Sequence, residues 1–199
     1  MKHSSLFQKI QLSHLNIEQK IGNSFLQIKP GTLCIFDEDT PSNSRHYHHC
    51  FELCIVTDGL GYFWHGEEQY EVKKGDVFIA DPDILHEIAI AQEKDGIRDH
   101  RLDVYYFSIS IHVGDFSHTE CPEEKILKQF LKNHDLVRSV QNKLITHLYF
   151  IYEYSRLKNR VPSVLDQCII NVVMDSLVSL THTHQLSDEN MAPSNIIDE

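Results

Sequence analysis

Two histidines and a glutamate stand close together in the segment Arg45–Gly59, whose sequence is RHYHHCFELCIVTDG. His46 and His48 are separated by one residue, and Glu52 follows four residues after His48. Residues two or four positions apart on a β-strand point to the same side, so these three side chains are expected to share one side of a strand. Neutral imidazole and carboxylate groups are ligands that suit divalent iron, manganese, nickel or zinc.

A fourth donor, His86, ends the segment GDVFIADPDILH that begins at Gly75. A short strand over Val77–Ile79 and a loop stiffened by Pro82 are expected before it. If the two segments meet, the four donors form a metal site with open positions, a metal-free pocket that hydrogen-bonds a ligand, or a structural network in the core. A buried carboxylate without a partner is costly, so Glu52 needs a partner in each case.

The sequence before residue 115 is a series of short apolar runs separated by Gly, Asp and Pro. This pattern is typical of an antiparallel sandwich or barrel. Asp58-Gly59 is a hairpin signal, because glycine tolerates the positive φ of a tight turn. The runs are Phe51–Thr57, Gly61–His65, Gln69–Val72, Asp76–Ala80, His86–Ile90 and Leu102–Ile111.

After residue 115 the apolar residues follow a helical period. Pro122, followed by two glutamates, suits the first turn of a helix. Steps of three and four residues from Val140 to Ile151 indicate a second helix that ends near Lys158. A third helix, with Ser163 as its N-cap, is apolar around most of its girth and is expected to be buried in its own chain or against a partner.

The chain of 199 residues carries a formal charge of −11. An acidic body repels phosphate, so direct binding of DNA or RNA is not expected. No apolar run approaches the ~20 residues of a membrane helix, so no membrane partner is expected either. The five cysteines include no CxxC pair, which favours free thiols in a reducing cytoplasm.

These segments resemble the two motifs of the cupin superfamily, whose fold is a double-stranded β-helix or jelly-roll barrel. The first motif is HxH, three residues, Glu, six residues and Gly. The residues that match it without a gap are His46, His48, Glu52 and Gly59. The second motif runs from Gly through Pro to His, as Gly75 to His86 does. This sequence departs from the pattern at Thr40, where a Gly is usual, at Pro82, which sits one place late, and at Ile90, where an Asn is expected.

Within the cupins, the sequence is more similar to the sensor domains of the AraC family of bacterial transcription regulators. Those domains read H-x-H-x-x-x-E-L, G-x-G and G-D-V-F-I-x-x-P-x-x-x-H, as this sequence does between His46 and His86. The resemblance implies a mainly β chain, with a cupin effector-binding barrel over 1–115 and a dimerisation segment of two to three helices over 116–186. It also implies that 187–199 is a linker toward a helix-turn-helix domain absent from this chain, which alone contacts DNA.

The resemblance further implies a cytoplasmic, non-enzymatic protein that binds a small effector, such as a sugar or related metabolite, inside the barrel. The expected effector contacts are His46, His48, Glu52, His86, Trp64, Tyr62 and Tyr106. No cofactor is certain, and a divalent metal (Zn, Fe, Mn or Ni) on His46, His48, Glu52 and His86 stays open. The expected homodimer interface on the third helix is Leu165, Ile169, Val172, Val173 and Leu177.

Two alternatives remain. The first is a metal-dependent cupin enzyme, a dioxygenase or isomerase, that uses the same four donors and binds substrate or O₂ at open metal positions. Against it, no additional acid–base pair stands near the motifs, and such an enzyme has no need of the helices. The second is a stand-alone effector-binding protein without a DNA-binding partner.

Overall fold

The computed structural model describes residues 12–91, 101–114 and 121–181. Within them lie eight strands and three helices. The elements are β1 (Ile17–Ile21), β2 (Ser24–Phe36), β3 (Phe51–His65), β4 (Glu68–Lys73), β5 (Asp76–Ala80), β6 (His86–Ile90), β7 (Leu102–His112), α1 (Pro122–Lys132), β8 (Val137–Ser139), α2 (Lys143–Ser155) and α3 (Pro162–Leu180).

Strand β3 is the centre of the fold because it belongs to two sheets. Its first half, Phe51–Gly59, pairs with β5 and β7, and its second half, Leu60–His65, pairs with β4 and β6. The larger sheet has the order β1-β2-β7-β3-β5-β8, and all its pairings are antiparallel. The two sheets share one long strand and enclose a barrel interior. The architecture is therefore mainly β with C-terminal helices, as expected.

The expected hairpin at Asp58-Gly59 is wrong. Strand β3 continues through both residues, and its register against β7 shifts between Val56 and Asp58, which marks a β-bulge. Gly59 has a φ of 82°, and a Cβ there would lie 1.9 Å from the carbonyl oxygen of Arg101. Glycine tolerates the positive φ that a tight turn needs, and here the same tolerance allows β3 to bend at the bulge and to pair in both sheets.

Alternate residues of β3 enter two different apolar clusters. Leu53 and Ile55 pack with the helices on the outer face of the sheet, whereas Cys54 and Val56 face the barrel interior. This two-sided burial explains why β3 is an unbroken apolar run rather than an alternation of apolar and polar residues. The buried interior residues are Phe36, Cys54, Val56, Phe63, Val72, Phe78, Ala80, Ile88, Ile90, Leu102 and Val104.

The helical segment also contributes a strand that the sequence did not predict. Strand β8 follows α1 and pairs with β5, so that Val137 lies opposite Phe78. The barrel therefore recruits a strand from beyond the expected boundary at residue 115. Helix α3 begins at Pro162, with Val161 rather than Ser163 in the cap position. The expected linker 187–199 lies outside the described residues.

One face of helix α3 is buried in its own chain, against α1, α2, β5 and β8. The five side chains expected at a homodimer interface are each at most 3% exposed and belong to the cluster between sheet and helices. Those residues are Leu165, Ile169, Val172, Val173 and Leu177. They have no free surface for a second subunit, which corrects that expectation. Helix α3 has the length and composition of a membrane span, and 44% of that span is buried inside the chain.

Candidate ligand-binding site

The four predicted donors come together at one end of the barrel. One ligand atom from each of His46, His48, Glu52 and His86 lies within 4.8 Å of the others. Glu52 is on β3 and His86 opens β6, but His46 and His48 precede β3 rather than lie on it. His46 is held instead by a backbone bridge to His86, with N–H to carbonyl distances of 3.0 and 2.8 Å. The expected single strand carrying three donors is thus corrected to a strand plus its preceding loop.

Backbone carbonyls fix the tautomers of two of the imidazoles. His86 Nδ1 lies 2.9 Å from the carbonyl oxygen of Ile84, and His46 Nδ1 lies 2.6 Å from that of Ser44. A carbonyl oxygen only accepts, so each Nδ1 carries the proton and donates it. Each Nε2 therefore keeps its lone pair for a ligand or a metal.

Glu52 has the partner that its burial requires. Its Oε2 lies 3.1 Å from His48 Nε2, and its Oε1 lies 3.8 Å from His86 Nε2. The Cys54 thiol donates weakly to Oε1 at 3.8 Å. The Glu52 side chain is only 11% exposed whereas that of His48 is 39% exposed, so the pair reaches from the barrel interior to solvent.

His86 is the most buried member of the cluster. Burial lowers its pKa, although the hydrogen bond to Ile84 and the charge of Glu52 act in the opposite direction. The nearby imidazoles of His46 and His48 lower it further. A lowered pKa keeps the ring neutral at physiological pH, which is the form that offers a lone pair.

The donor set fits a divalent transition metal. His86 Nε2 is fully buried and has no hydrogen-bond partner. An orphaned buried acceptor is costly in an inert structural network, so it favours a role in binding. Three imidazoles and one carboxylate within 4.8 Å match the nitrogen and oxygen ligands of iron, manganese, nickel or zinc.

A cavity of about 580 Å³ opens beside these donors, a size that suits a small metabolite. One part of its wall is polar, with hydroxyl, amide and imidazole groups, and the rest is apolar. Sequence reasoning missed most of this wall, because the residues come from β2, β7 and the loop before His46. The lining residues are Cys34, Ile35, Phe36, Thr40, Ser42, Asn43, His46, His48, Glu52, Cys54, Ile88, Val104, Tyr106 and Ser108.

Of the three aromatic residues expected to contact an effector, Tyr106 lines the cavity. Tyr62 and Trp64 do not belong to its wall. They flank Phe63 along β3, and Phe63 is the residue that enters the barrel interior. Since neighbouring residues of a strand alternate in direction, the Tyr62 and Trp64 rings lie on the outer face, where they pack on each other with centroids 5.7 Å apart.

The comparisons with known proteins agree with this geometry. A family model described as the AraC-like ligand binding domain matches residues 26–139. The matched stretch begins in β2 and ends with β8, so it contains the cavity and all four donors. No curated protein matches the chain.

Solved structures similar to this chain include three cupins. One is a Cupin 2 conserved barrel domain protein from Salinispora arenicola, with 16% identity over 50% of this chain and 80% of that chain, at a TM-score of 0.32. Another is a cupin-like protein from Thermotoga maritima, with 21% identity over 48% of this chain and 68% of that chain, at a TM-score of 0.30. A cupin 2 conserved barrel domain protein from Rhodopseudomonas palustris has 13% identity over 60% of this chain and 83% of that chain, at a TM-score of 0.33. The family match covers more than half of the sequence, and the chain therefore belongs to the AraC-like ligand-binding domain family.

Proposed function

We propose that this chain is the effector-binding and dimerisation part of an AraC-type transcription regulator of the cytoplasm. A small metabolite binds in the barrel and controls DNA binding by a separate C-terminal domain. The observation that carries the proposal is the cavity of about 580 Å³, whose wall combines three of the four donors, His46, His48 and Glu52, with apolar side chains inside the stretch that matches the family.

The cavity wall suits a ligand that is polar on one side and apolar on the other. Thr40, Ser42 and the imidazoles offer hydrogen bonds, while Phe36, Ile88 and Val104 offer apolar contact. A hydroxylated metabolite such as a sugar places hydroxyls against the first set and carbon-bound hydrogens against the second. Few convergent polar groups in a largely apolar pocket give both affinity and orientation.

A homodimer is part of this proposal, but through a different surface of the helices. An apolar patch lies at the junction of α2 and α3 and consists of Phe150, Tyr154, Leu157 and Val161. The exposed fractions are 54% for Phe150, 53% for Leu157 and 51% for Val161. The Phe150 and Tyr154 rings stack with centroids 6.0 Å apart, and the Tyr154 hydroxyl accepts a hydrogen bond from the Val161 amide. A contiguous exposed apolar patch on a helical pair favours a two-fold contact with a second copy.

Binding and DNA control are tested together. A thermal-shift screen of metabolites on this chain identifies effectors, because a ligand that binds only the native state raises its apparent stability. Cys34→Phe places a larger side chain in the cavity and is expected to abolish the shift, whereas Tyr62→Phe, outside the cavity, preserves it. The effector is then added to a protein that contains both this chain and the proposed C-terminal DNA-binding domain, and its DNA binding is measured in a gel-shift assay. An effector that binds the Cys34→Phe variant normally, or that leaves DNA binding unchanged, contradicts the proposal.

A metal-dependent enzyme is the second candidate, favoured by the orphaned Nε2 of His86. His46, His48, Glu52 and His86 would hold the ion, which supplies Lewis-acid or redox chemistry at its open positions. The three imidazoles and the carboxylate would fix its position, while the apolar floor excludes water. Elemental analysis after metal supplementation tests it. Less than about a tenth of an equivalent of transition metal leaves this candidate without its catalyst.

A further inference from the structure

A second, smaller cavity of about 290 Å³ adjoins the first. Its six lining residues are all polar or thiol-bearing: Gln27, Lys29, His49, Cys50, Ser108 and Ser110. Ser108 lines both cavities. A ligand that extends past Ser108 from the main cavity therefore enters the smaller one.

Strand register shows how the sheet builds this second cavity. Lys29 on β2 lies opposite Ser108 on β7, and Ser108 lies opposite Glu52 on β3. The three side chains form one row across the sheet, on the face that lines the barrel interior. In the next row toward the open end, Gln27 lies opposite Ser110. Neighbouring strands are about 4.8 Å apart, so Lys29 and Glu52 mark the two ends of a row roughly 10 Å long.

The charges of this row are separated rather than paired. Among the described residues Lys29 forms no salt bridge, and its ammonium group is the one formal cation in the wall of this cavity. The neighbouring carboxylates are each hydrogen-bonded or ion-paired to another group: Glu18 to Gln27, Asp83 to His49 and Glu52 to His48. In a chain of net charge −11, Lys29 is the charged group in this wall that can attract an anion, while the nearby charge of Glu52 acts in the opposite direction.

We propose that the smaller cavity is an anion subsite, in which Lys29, Ser108 and Ser110 bind a carboxylate or phosphate group at one end of the effector. The assignment rests on the proposed effector-binding function and narrows its ligand to an anionic, hydroxylated metabolite. The body of that ligand lies in the main cavity, near the histidine cluster. Its anionic end passes Ser108, accepts hydrogen bonds from the two serine hydroxyls and is neutralised by the Lys29 ammonium group.

The local potential is measurable without knowing the effector, because Cys50 lines the same cavity. Anionic sulfonatoethyl methanethiosulfonate and cationic trimethylammonioethyl methanethiosulfonate each form a disulfide with a thiolate and release methanesulfinate. Peptide mass spectrometry gives the rate at Cys50 relative to Cys168, a half-buried reference thiol on α3. Glu52 and Lys29 both act on the Cys50 thiol with opposite signs, so the change on removing Lys29 is the informative quantity. We expect Lys29→Gln to lower the anionic-to-cationic ratio by about tenfold at low salt.

Lys20→Gln removes the same charge from the neighbouring strand β1 and is expected to leave the ratio within about twofold, since its side chain is not part of the cavity wall. A Lys29→Gln variant with an unchanged ratio overturns the subsite.

A second measurement separates this inference from the proposed function. Effectors from the thermal-shift screen are compared as matched acid and alcohol pairs, such as gluconate with glucitol, and as a hexose phosphate with its free hexose. Weakening by Lys29→Gln of the acid or the phosphate alone supports the subsite and identifies its anion. A neutral effector that binds the parent and Lys29→Gln equally overturns the anion subsite, while the effector-binding function stands.

Discussion

Asp81 Oδ1 lies 3.0 Å from His134 Nε2 and joins the loop before β6 to the end of α1. The other ring nitrogen of His134 donates to the carbonyl oxygen of Phe130 at 2.9 Å, and the ring stacks on that of Phe130 with centroids 4.3 Å apart. The loop thus carries a side chain that is held firmly by the helical segment. Through this contact the barrel and the helices are connected by polar as well as apolar groups.

Hydrogen bonds of neighbouring residues connect the loop to the histidine cluster on one side and to the end of α3 on the other. Asp83, in the same loop as Asp81, donates its backbone N–H to the carbonyl oxygen of His48 at 2.7 Å. At the other side, the N–H of Asp135 donates to the carbonyl oxygen of Leu180 at 2.8 Å. The loop before β6 therefore contacts both the segment that carries His48 and the segment that follows α1.

The Asp81–His134 contact predicts a pH dependence of stability. Burial by itself lowers the pKa of His134, but the hydrogen bonds to Asp81 and Phe130 and the nearby carboxylates raise it above its ordinary value. Because the folded pKa exceeds the unfolded one, the stabilisation is fully present below about pH 6.5 and is lost as the pH rises through the folded pKa. We expect His134→Gln to lower the unfolding free energy by about 1–3 kcal/mol near pH 6 and by less at higher pH.

Urea denaturation of both proteins across this pH range measures the effect. His49→Gln is the matched control, because His49 also contacts an aspartate, Asp83, but its side chain is 85% exposed. Such an exposed pair contributes little. If the unfolding free energies of His134→Gln and of the parent depend on pH in the same way, the Asp81–His134 contact does not contribute the stabilisation assigned to it.

The bulge in β3 predicts different costs for two glycine substitutions. Gly59 and Gly66 both have positive φ, at 82° and 61°. A Cβ at Gly59 meets the Arg101 carbonyl at 1.9 Å, whereas a Cβ at Gly66 has no atom within 4 Å. Gly66→Ala therefore incurs backbone strain alone, about 1 kcal/mol, while Gly59→Ala is expected to cost at least about twice that. Thermal denaturation of the two variants compares them, and similar costs would mean that β3 does not bend at Gly59 as described.

His86→Leu separates stability from binding. His86 is 1% exposed, and its Nε2 has no hydrogen-bond partner. Leucine removes the unsatisfied Nε2 but also the Nδ1 hydrogen bond to Ile84, so the unfolding free energy is expected to fall by no more than about 1–3 kcal/mol. The same variant is expected to lose effector or metal binding in calorimetry. A variant that is strongly destabilised but binds as the parent does would indicate that the cluster is structural.

The apolar patch predicts the oligomeric state. We expect the protein to sediment as a dimer at micromolar concentration and Phe150→Glu to sediment as a monomer, since a buried unpaired carboxylate at an interface is costly. Tyr47→Glu is the matched control, because Tyr47 is also 54% exposed but lies beside the histidine cluster. A parent that sediments as a monomer, or a Phe150→Glu variant that remains a dimer, argues against this surface.

The four donors were predicted from the sequence, but their meeting was conditional on two distant segments coming together. Short runs of strand-forming residues predicted an antiparallel sandwich or barrel, and the resemblance to cupins implied the jelly-roll barrel. The two-residue period of a strand did not hold for His46 and His48, which lie in the loop before β3. The same period placed Leu53 and Ile55 on one face and Cys54 on the other, as the two apolar clusters have them.

Other features depended on which segments meet across the fold. The dipeptide Asp58-Gly59 is typical of a hairpin turn when it is read locally. In the structure it lies at a bulge, because strand β3 pairs with one sheet before it and with the other sheet after it. Strand β8 is three residues long and is defined by its antiparallel pairing with β5, which is distant in sequence. The apolar girth of α3 was compatible with burial in its own chain or against a partner, and the structure buries one face of it against the sheet and the other helices.

Sequence by itself thus determined the residue types, the strand period and the four donors, since these follow from chemistry and spacing along the chain. Tertiary structure alone decided the cavity wall, the position of Lys29 in the second cavity and the exposed surface of the helices. These three depend on which distant segments exclude water from one another, and burial is a property of the folded chain as a whole.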